Sequence, residues 1–297
     1  MDLGLNRLRT LRELARHGTM SAVAEAMAYT PAAVSQQLAA LERAAGVALL
    51  ERAGRGVRLT EAGAALARYA DRILEVEEEA RAAVSALATH PVARLRLGVF
   101  ATAAATMVPP ALRALTNRHP DLNVQTRELD PDGAPGLVGD GVVDLAFGLD
   151  YPDAPIPRRS TVEILPLRTE RFRIAVPPGS KFGPRCGLAE LATQTWILPP
   201  ADGHYGQAIR VACRRAGFEP QASHEITDSA TSIAMVAEGL GITPVTELIQ
   251  RLGPTRLTLV ELDEVVERSV VLVRRRSSAA RPALAALVEA IRDTVLA

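Results

Sequence analysis

Between Gly63 and Pro91 the chain contains neither glycine nor proline. The stretch is rich in Ala, Glu, Leu and Arg, residues that lose little on entering a helix, and His90-Pro91 closes it. This predicts one long helix from Thr60 to about Thr89, and it separates two zones of different periodicity. Before it, from Leu5 to about Leu59, short helical runs alternate with small polar breaks. After it, from Arg94 onward, short β-like runs alternate with helical ones. At roughly 100–200 residues per domain, a chain of 297 residues holds about two domains, one of them bilobed.

Composition narrows the class. Hydrophobic residues make up 48% and charged residues 23%, which excludes a disordered or low-complexity chain. Aromatics are only 3%, which argues against a base-stacking surface of the single-strand-binding kind. Cys186 and Cys213 are the only cysteines, which fits a reducing compartment and excludes a disulfide scaffold or a four-thiolate zinc site. Arg7, Arg9 and Arg12 precede any apolar run, so no signal peptide is expected. The longest uncharged stretch, between Arg96 and Arg113, is interrupted by Gly98 and Pro109-Pro110 and is too short to span a membrane. A soluble, cytoplasmic protein with no membrane partner is expected. The formal net charge is zero, with 34 basic and 34 acidic side chains, but it is unevenly spread. Residues 1–60 carry eight arginines against five acidic groups, and residues 61–90 three against six. A modestly basic zone adjoins an acidic one. Lys181 is the only lysine, so the positive charge is almost all guanidinium, the better bidentate partner for phosphate and guanine.

The sharpest local signal lies between Ser21 and Leu41. Ser21 is placed to cap a helix over Ala22–Met27, the chain breaks at Ala28-Tyr29, and Thr30-Pro31 supplies an N-cap with proline at the first helical position. On the second helix Val34, Leu38 and Leu41 form one buried stripe, which turns Ala32, Ser35, Gln36 and Ala39 outward. The layout is a helix-turn-helix, although any two short helices of a bundle can imitate one. Its second helix opens with small residues and then offers Ser and Gln to base edges or phosphates of double-stranded DNA. After Gly46, the segment Leu49–Thr60 reads as two short strands about a glycine-containing turn, a wing carrying Arg52, Arg55 and Arg58 beside a phosphate backbone. The DNA-binding candidates are Thr30, Pro31, Ala32, Ser35, Gln36, Gln37, Arg52, Arg55 and Arg58.

The long helix also carries heptads. Leu66, Ile73, Ala80 and Leu87 recur every seven residues, with Tyr69, Val76 and Ala83 three later in each, which predicts a two-helix seam and a homodimer. The bland alternative is one amphipathic helix packed on its own domain. Beyond it, strands are expected at about Val92–Val99, Leu122–Arg127, Val142–Phe147, Val162–Leu167, Arg171–Val176, Thr195–Leu198, Leu257–Leu262 and Ser269–Val273. Helices are expected at about Thr106–Arg118, Gln207–Ala216, Ser229–Glu238, Thr246–Leu252 and Ala283–Val295. The alternation implies a largely parallel α/β architecture in two lobes, with a small molecule bound in the cleft at the strand ends.

These residues resemble a known family. Leu38-Ala39-Ala40-Leu41-Glu42, Gly46-Val47-Ala48-Leu49-Leu50-Glu51-Arg52 and Arg58-Leu59-Thr60-Glu61-Ala62-Gly63 look like the N-terminal signature of LysR-type transcriptional regulators, in register. In that family the second helix commonly begins Ser-Gln-Pro and continues Ser-Arg-Gln. Here Thr30, Pro31 and Ala32, then Ser35, Gln36 and Gln37, take those places, so Gln36 replaces an outward Arg and Pro31 a helix-start Gln. The resemblance extends over nearly the whole chain through Leu95–Val99, Gly141–Gly148, Arg171–Pro177 and Val236–Ile242. It implies an α/β protein overall: an all-α winged helix-turn-helix over 1–60, a linker helix over 61–90 that pairs subunits into dimers and further into tetramers, and a bilobed effector domain over 91–297 similar to periplasmic binding proteins. The first lobe would span about 94–166 and 267–297, the second about 167–266. The resemblance places the effector against Ala101, Thr102, Gly148, Leu149, Pro199, Pro200, Thr227 and Ser229. Thr102 and Ser229, read as lying just ahead of helix starts, could hold an anion there or act only as caps.

Enzymatic signatures are missing. There is no Gly-x-Ser-x-Gly elbow, and Gly203-His204-Tyr205-Gly206 lacks a nucleophile. Pro178-Gly179-Ser180-Lys181 lacks the spacing of a phosphate loop. His17, His90, His119, His204 and His224 show no metal-ligand spacing, and the separation of the two cysteines argues against a redox pair. No catalytic residue, metal or cofactor is therefore expected. The function expected is a DNA-binding regulator, activator or repressor, whose promoter binding responds to a small-molecule effector. The competing reading is a small-molecule-binding α/β protein or enzyme whose N-terminal helices serve only oligomerisation.

Overall fold

A computed structural model of the protein describes residues 3–53, 56–86, 94–252 and 257–296. The chain divides into two compact units, Met1–Leu87 and Ala88–Ala297.

The first unit contains α1 (Leu5–His17), α2 (Met20–Met27), α3 (Pro31–Ala45), the hairpin β1 (Leu50–Ala53) and β2 (Gly56–Leu59), and α4 (Glu61–Ala86). Its core is built from Leu8, Leu11 and Leu14 of α1, Val34, Leu38 and Leu41 of α3, and Ala67 and Ala70 of α4. Gly18 and Gly46 end α1 and α3 in the left-handed conformation that glycine adopts freely. Thr19, not Ser21, caps α2: its hydroxyl accepts the Ala22 amide at 3.3 Å, and Ser21 falls inside the helix. The helix starts earlier than the pattern implied because the chain leaves Gly18 directly into a cap. Charge pairs between Arg16 and Asp71, 3.2 Å apart, and between Arg9 and Glu77 tie α1 to α4.

The second unit is an α/β assembly of two lobes. In the first lobe a five-stranded sheet has the order β4-β3-β5-β13-β6, formed by β3 (Arg94–Val99), β4 (Asn123–Glu128), β5 (Leu145–Asp150), β6 (Val162–Arg171) and β13 (Glu267–Arg275). Helices α5 (Ala101–Thr106), α6 (Val108–Arg118), α7 (Ala134–Gly139) and α11 (Pro282–Leu296) accompany it. The second lobe holds a four-stranded sheet, β11-β7-β12-β8, formed by β7 (Arg173–Val176), β8 (Arg185–Cys186), β11 (Thr243–Val245) and β12 (Thr258–Leu262). Beside it β9 (Trp196–Leu198) and β10 (Ala222–Glu225) pair in parallel, with helices α8 (His204–Arg215), α9 (Ser229–Ala237) and α10 (Glu247–Gln250).

The sheets are mixed rather than largely parallel. β3 runs parallel to β4 and β5, whereas β13 is antiparallel to both β5 and β6, and β7 is antiparallel to β11 and β12. The reason is the double crossing between lobes. β6 leads directly into β7 and β12 returns into β13, so the outgoing and returning strands lie side by side in opposite directions. They are fastened by a buried ion pair: Arg268 of β13 donates through Nε and Nη2 to Glu170 of β6 at 3.0 and 2.9 Å, with both side chains at most 2% exposed. Glu170 also accepts the Leu248 amide at the start of α10, so the crossing is tied into the second lobe.

Candidate functional site

The turn between α2 and α3 depends on local chemistry. Ala28 is the only described non-glycine residue with positive φ, +53°, and it ends α2. Thr30 then caps α3 by accepting the Ala33 amide at 3.2 Å, with Pro31 at the helix start. Because Val34, Leu38 and Leu41 are fully buried, Thr30, Pro31, Ala32, Ser35 and Gln36 are left exposed on one continuous face. Gln37 is half-buried and turns toward α1 and α4, lining a shallow groove with Arg7, Arg9 and Glu77. The wing follows as read, with Glu51 opposite Arg58 and Arg52 opposite Val57. Arg58 is bound to Glu51 across the hairpin, while Arg52 is exposed and carries no ion pair among the described residues. Arg55 lies outside the described residues.

The wing is held at a fixed place. Glu42 of α3 accepts the amides of Leu49 and Leu50 at 2.8 and 3.0 Å, and the Thr60 hydroxyl donates to the Ala48 carbonyl while accepting the Gly63 amide. Gly63 is required by close packing: a Cβ there would sit 2.0 Å from the Leu49 carbonyl oxygen.

Helix α4 has two apolar faces. Ala67, Ala70 and Leu74 are buried in their own unit, whereas Tyr69 (57% exposed), Ile73, Val76 (62% exposed) and Ala80 lie open. Leu66 is shared, half-buried against the core of the first unit. The open stripe reaches Val84, which the heptad register did not include; a helix of 3.6 residues per turn drifts against a 3.5 repeat. Leu87 and the side chain of Ala83 lie outside the described residues.

In the second unit a cavity of about 620 Å³ is lined from both lobes. Ala101, Thr102, Leu149, Pro199, Pro200, Thr227 and Ser229 all line it. Gly148 does not: along β5 successive residues alternate faces, and Gly148 points at Ile156, Val271 and Val273 on the side away from Leu149. Nor do Thr102 and Ser229 precede their helices. Thr102 is inside α5, and Ser229 opens α9 behind Asp228, whose carboxylate caps the helix at the Thr231 amide (2.8 Å). Those Thr231 hydrogen bonds lower the Asp228 carboxyl below its ordinary value.

Sequence reasoning did not foresee how the lobes meet. A 3-10 turn, Pro131–Gly133, follows β4, and its Asp132 carboxylate reaches across to accept the His204 amide at the N-terminus of α8, 2.8 Å away. His204 Nδ1 lies 2.9 Å from the Ala154 carbonyl of the first lobe. Burial raises the Asp132 carboxyl above its ordinary value, against the lowering effect of that amide. α8 comes this close to the Pro199-Pro200 loop only because residue 206 is glycine; a Cβ would lie 2.0 Å from the Pro200 carbonyl. Tyr151 and Tyr205 of the lining stack on each other (centroids 5.9 Å apart, planes 10°), and Tyr205 also stacks on Phe172 (5.5 Å, 24°). Gly203, Tyr205 and Gly206 of the segment that lacked a nucleophile therefore line the cavity.

The cysteines offer no reactive thiolate. Both are buried and unpaired, and burial pushes the Cys213 thiol up to about 12 and raises that of Cys186. No described helix is long and apolar enough to cross a membrane.

Comparison with known proteins assigns both units. Residues 5–64 match the model of the bacterial regulatory helix-turn-helix proteins of the lysR family, and residues 88–296 match that of the LysR substrate binding domain. The chain belongs to the LysR family. It is a LysR-type transcriptional regulator. Among its relatives are the regulator ClcR of Pseudomonas putida, 28% identical over 82% of each chain, and a probable hydrogen peroxide-inducible genes activator of Streptomyces viridosporus, 33% identical over 97% of this chain and 95% of that one. Among solved structures, full-length CbnR in complex with its target DNA is 25% identical, with a TM-score of 0.57, over 98% of this chain and 99% of that chain. In this LysR-type chain the family's signature has visible physical work: Glu42, Thr60 and Gly63 together seat the wing. The N-terminal helices fall within the family's DNA-reading element, which favours the regulator over an α/β enzyme using them for oligomerisation alone.

Proposed function

We propose that this LysR-type regulator works in the cytoplasm, without catalytic activity, as a homodimer that assembles further into a tetramer. Its seam is the heptad series Leu66, Tyr69, Ile73, Val76, Ala80, Ala83 and Leu87, of which Tyr69, Ile73, Val76 and Ala80 lie open on α4. Ser35 and Gln36 read base edges while Thr30, Pro31, Ala32 and Gln37 set the approach of α3, and Arg52, Arg55 and Arg58 hold phosphates. Two such faces in a dimer call for a pseudo-palindromic operator with half-sites spaced by helical turns. The effector occupies the cavity lined by Ala101, Thr102, Leu149, Pro199, Pro200, Thr227 and Ser229. It acts by favouring one arrangement of the lobes, with the paired crossing strands β6 and β13 as hinge.

The observation that carries this reading is the exposed polar face of α3, left free by a complete buried stripe behind it. The test is a gel shift of the full chain with the DNA upstream of its own gene and of any divergent neighbour. A retarded band that survives unrelated competitor DNA is expected; no shift at low salt would overturn the reading.

A further inference from the structure

Helix α8 belongs to the second lobe, yet both of its ends are fastened to the first. At its start Gly203 has no side chain with which to cap it, and the cap comes from the other lobe: the Asp132 carboxylate accepts the His204 amide at 2.8 Å. The His204 ring meets the Ala154 carbonyl at 2.9 Å, with Nδ1 donating because a carbonyl oxygen only accepts. At the far end of the helix Arg215 pairs with Asp153, 2.7 Å away.

Between these fastenings α8 runs beside open space. Gly203, Tyr205 and Gly206 line the cavity of about 620 Å³, while Ala208, Ala212 and Ala216 share a second cavity, of about 320 Å³, with Pro152 and Val266. Tyr205 also reaches the first lobe by stacking on Tyr151. Contacts of this kind part at low cost. Space between the walls forfeits the dispersion of a packed interior, and an ion pair as exposed as that of Arg215, at 68%, contributes little. The Asp132 carboxylate also surrenders solvation to reach α8, since burial raises its carboxyl more than the amide lowers it. At the crossing the joint is firm: β13 pairs with β6 from Glu267 to Arg275, and Arg268 is buried against Glu170.

We infer that α8 is a releasable clasp: its two fastenings hold the lobes together over the cavity, and when they let go the lobes part about the β6–β13 crossing. Asp132, His204, Asp153 and Arg215 are its positioning residues. The clasp rests on the hinge proposed above and not on what occupies the cavity. Its failure would leave the DNA-binding regulator in place, since the gel shift tests that separately.

Thiol labelling of the full chain with fluorescein maleimide, located by mass spectrometry, tests the clasp by cutting one end of α8 and reading the other. Ala208→Cys places a thiol in the second cavity, which Asp132 does not line, and Thr102→Cys one in the first, which Arg215 does not line. A changed rate therefore reports release and not local exposure. Asp132→Ala should speed labelling at position 208, and Arg215→Ala at position 102, each at least about threefold, as a shifted opening equilibrium requires. Asp132→Asn, which keeps an acceptor oxygen for the His204 amide, should fall between wild type and Asp132→Ala. Cys186 and Cys213, both buried, should keep their wild-type rates. Arg215 is exposed, so its removal leaves the core intact and that arm stands even where Asp132→Ala folds poorly. Unchanged labelling at both positions, or acceleration shared by Cys186 and Cys213, would overturn the inference.

Discussion

Single residues in this chain act chiefly through where they let the backbone go. Gly63 is a case in which helix propensity and packing disagree. Inside a helix, Gly→Ala ordinarily stabilises by about 1 kcal/mol, yet here the added methyl would meet the Leu49 carbonyl at 2.0 Å. Overpacking of that kind costs about 1–3 kcal/mol, so Gly63→Ala should lower the urea midpoint of the first unit's transition; a stabilised variant would show that the wing is not seated on α4 as described. Asp144 is the electrostatic counterpart. It is buried, which by itself would raise its carboxyl, but the Arg96 amide at 2.8 Å, the Arg96 side chain and Arg281 outweigh burial and lower it below 3.8. A lowered folded value means stability that is fully present above pH 3.8 and lost as pH falls through the lowered value. Asp144→Asn should be destabilised near neutrality and show a flatter acid limb in unfolding titrations; an unchanged acid limb would remove Asp144 as its source. The Thr30-Pro31 start of α3 was legible in the sequence because cap and proline act within a few residues. The Thr19 cap was misread because two hydroxyl residues compete there, and only the left-handed Gly18 decides between them.

Among the elements, α4 shows how far periodicity carries. Heptad spacing identified the stripe, and Tyr69, Ile73 and Val76 are indeed open while Ala67, Ala70 and Leu74 face their own core. Replacing Val76 by Glu places a charge in that stripe without touching the buried face. Dimerisation should weaken at least about tenfold, ~1.4 kcal/mol, in analytical ultracentrifugation while the fold is retained; unchanged mass would exclude this stripe as the seam. The strand positions behind it were also legible, since alternation around Arg94 and Arg96 and the apolar run of β5 are local patterns. Their mutual directions were not. Whether β13 runs with or against β5 is set by a chain that leaves one lobe and comes back, and no window of sequence contains both crossings.

At the scale of the whole molecule, a zero net charge conceals separate work. The basic surplus belongs to the zone that reads DNA and the acidic surplus to residues 61–90, while residues 91–297 are balanced and five of their carboxylates, scattered from Glu128 to Asp228, line the cavity. How the lobes meet could not be seen in advance, because Asp132 and His204 meet across 72 positions of sequence. Seven cavity residues were found by resemblance, but the carboxylates of its lining were not among them. If α3 reads sequence while the wing supplies affinity, the salt dependence of promoter binding by wild type, Arg52→Ala and Gln36→Ala separates the two roles. Arg52→Ala should weaken binding to all sequences and lower the salt slope by about 1, with base preference unchanged; Gln36→Ala should alter base preference and leave the slope unchanged. Equal binding by all three proteins, with one slope and one preference, would exclude both roles.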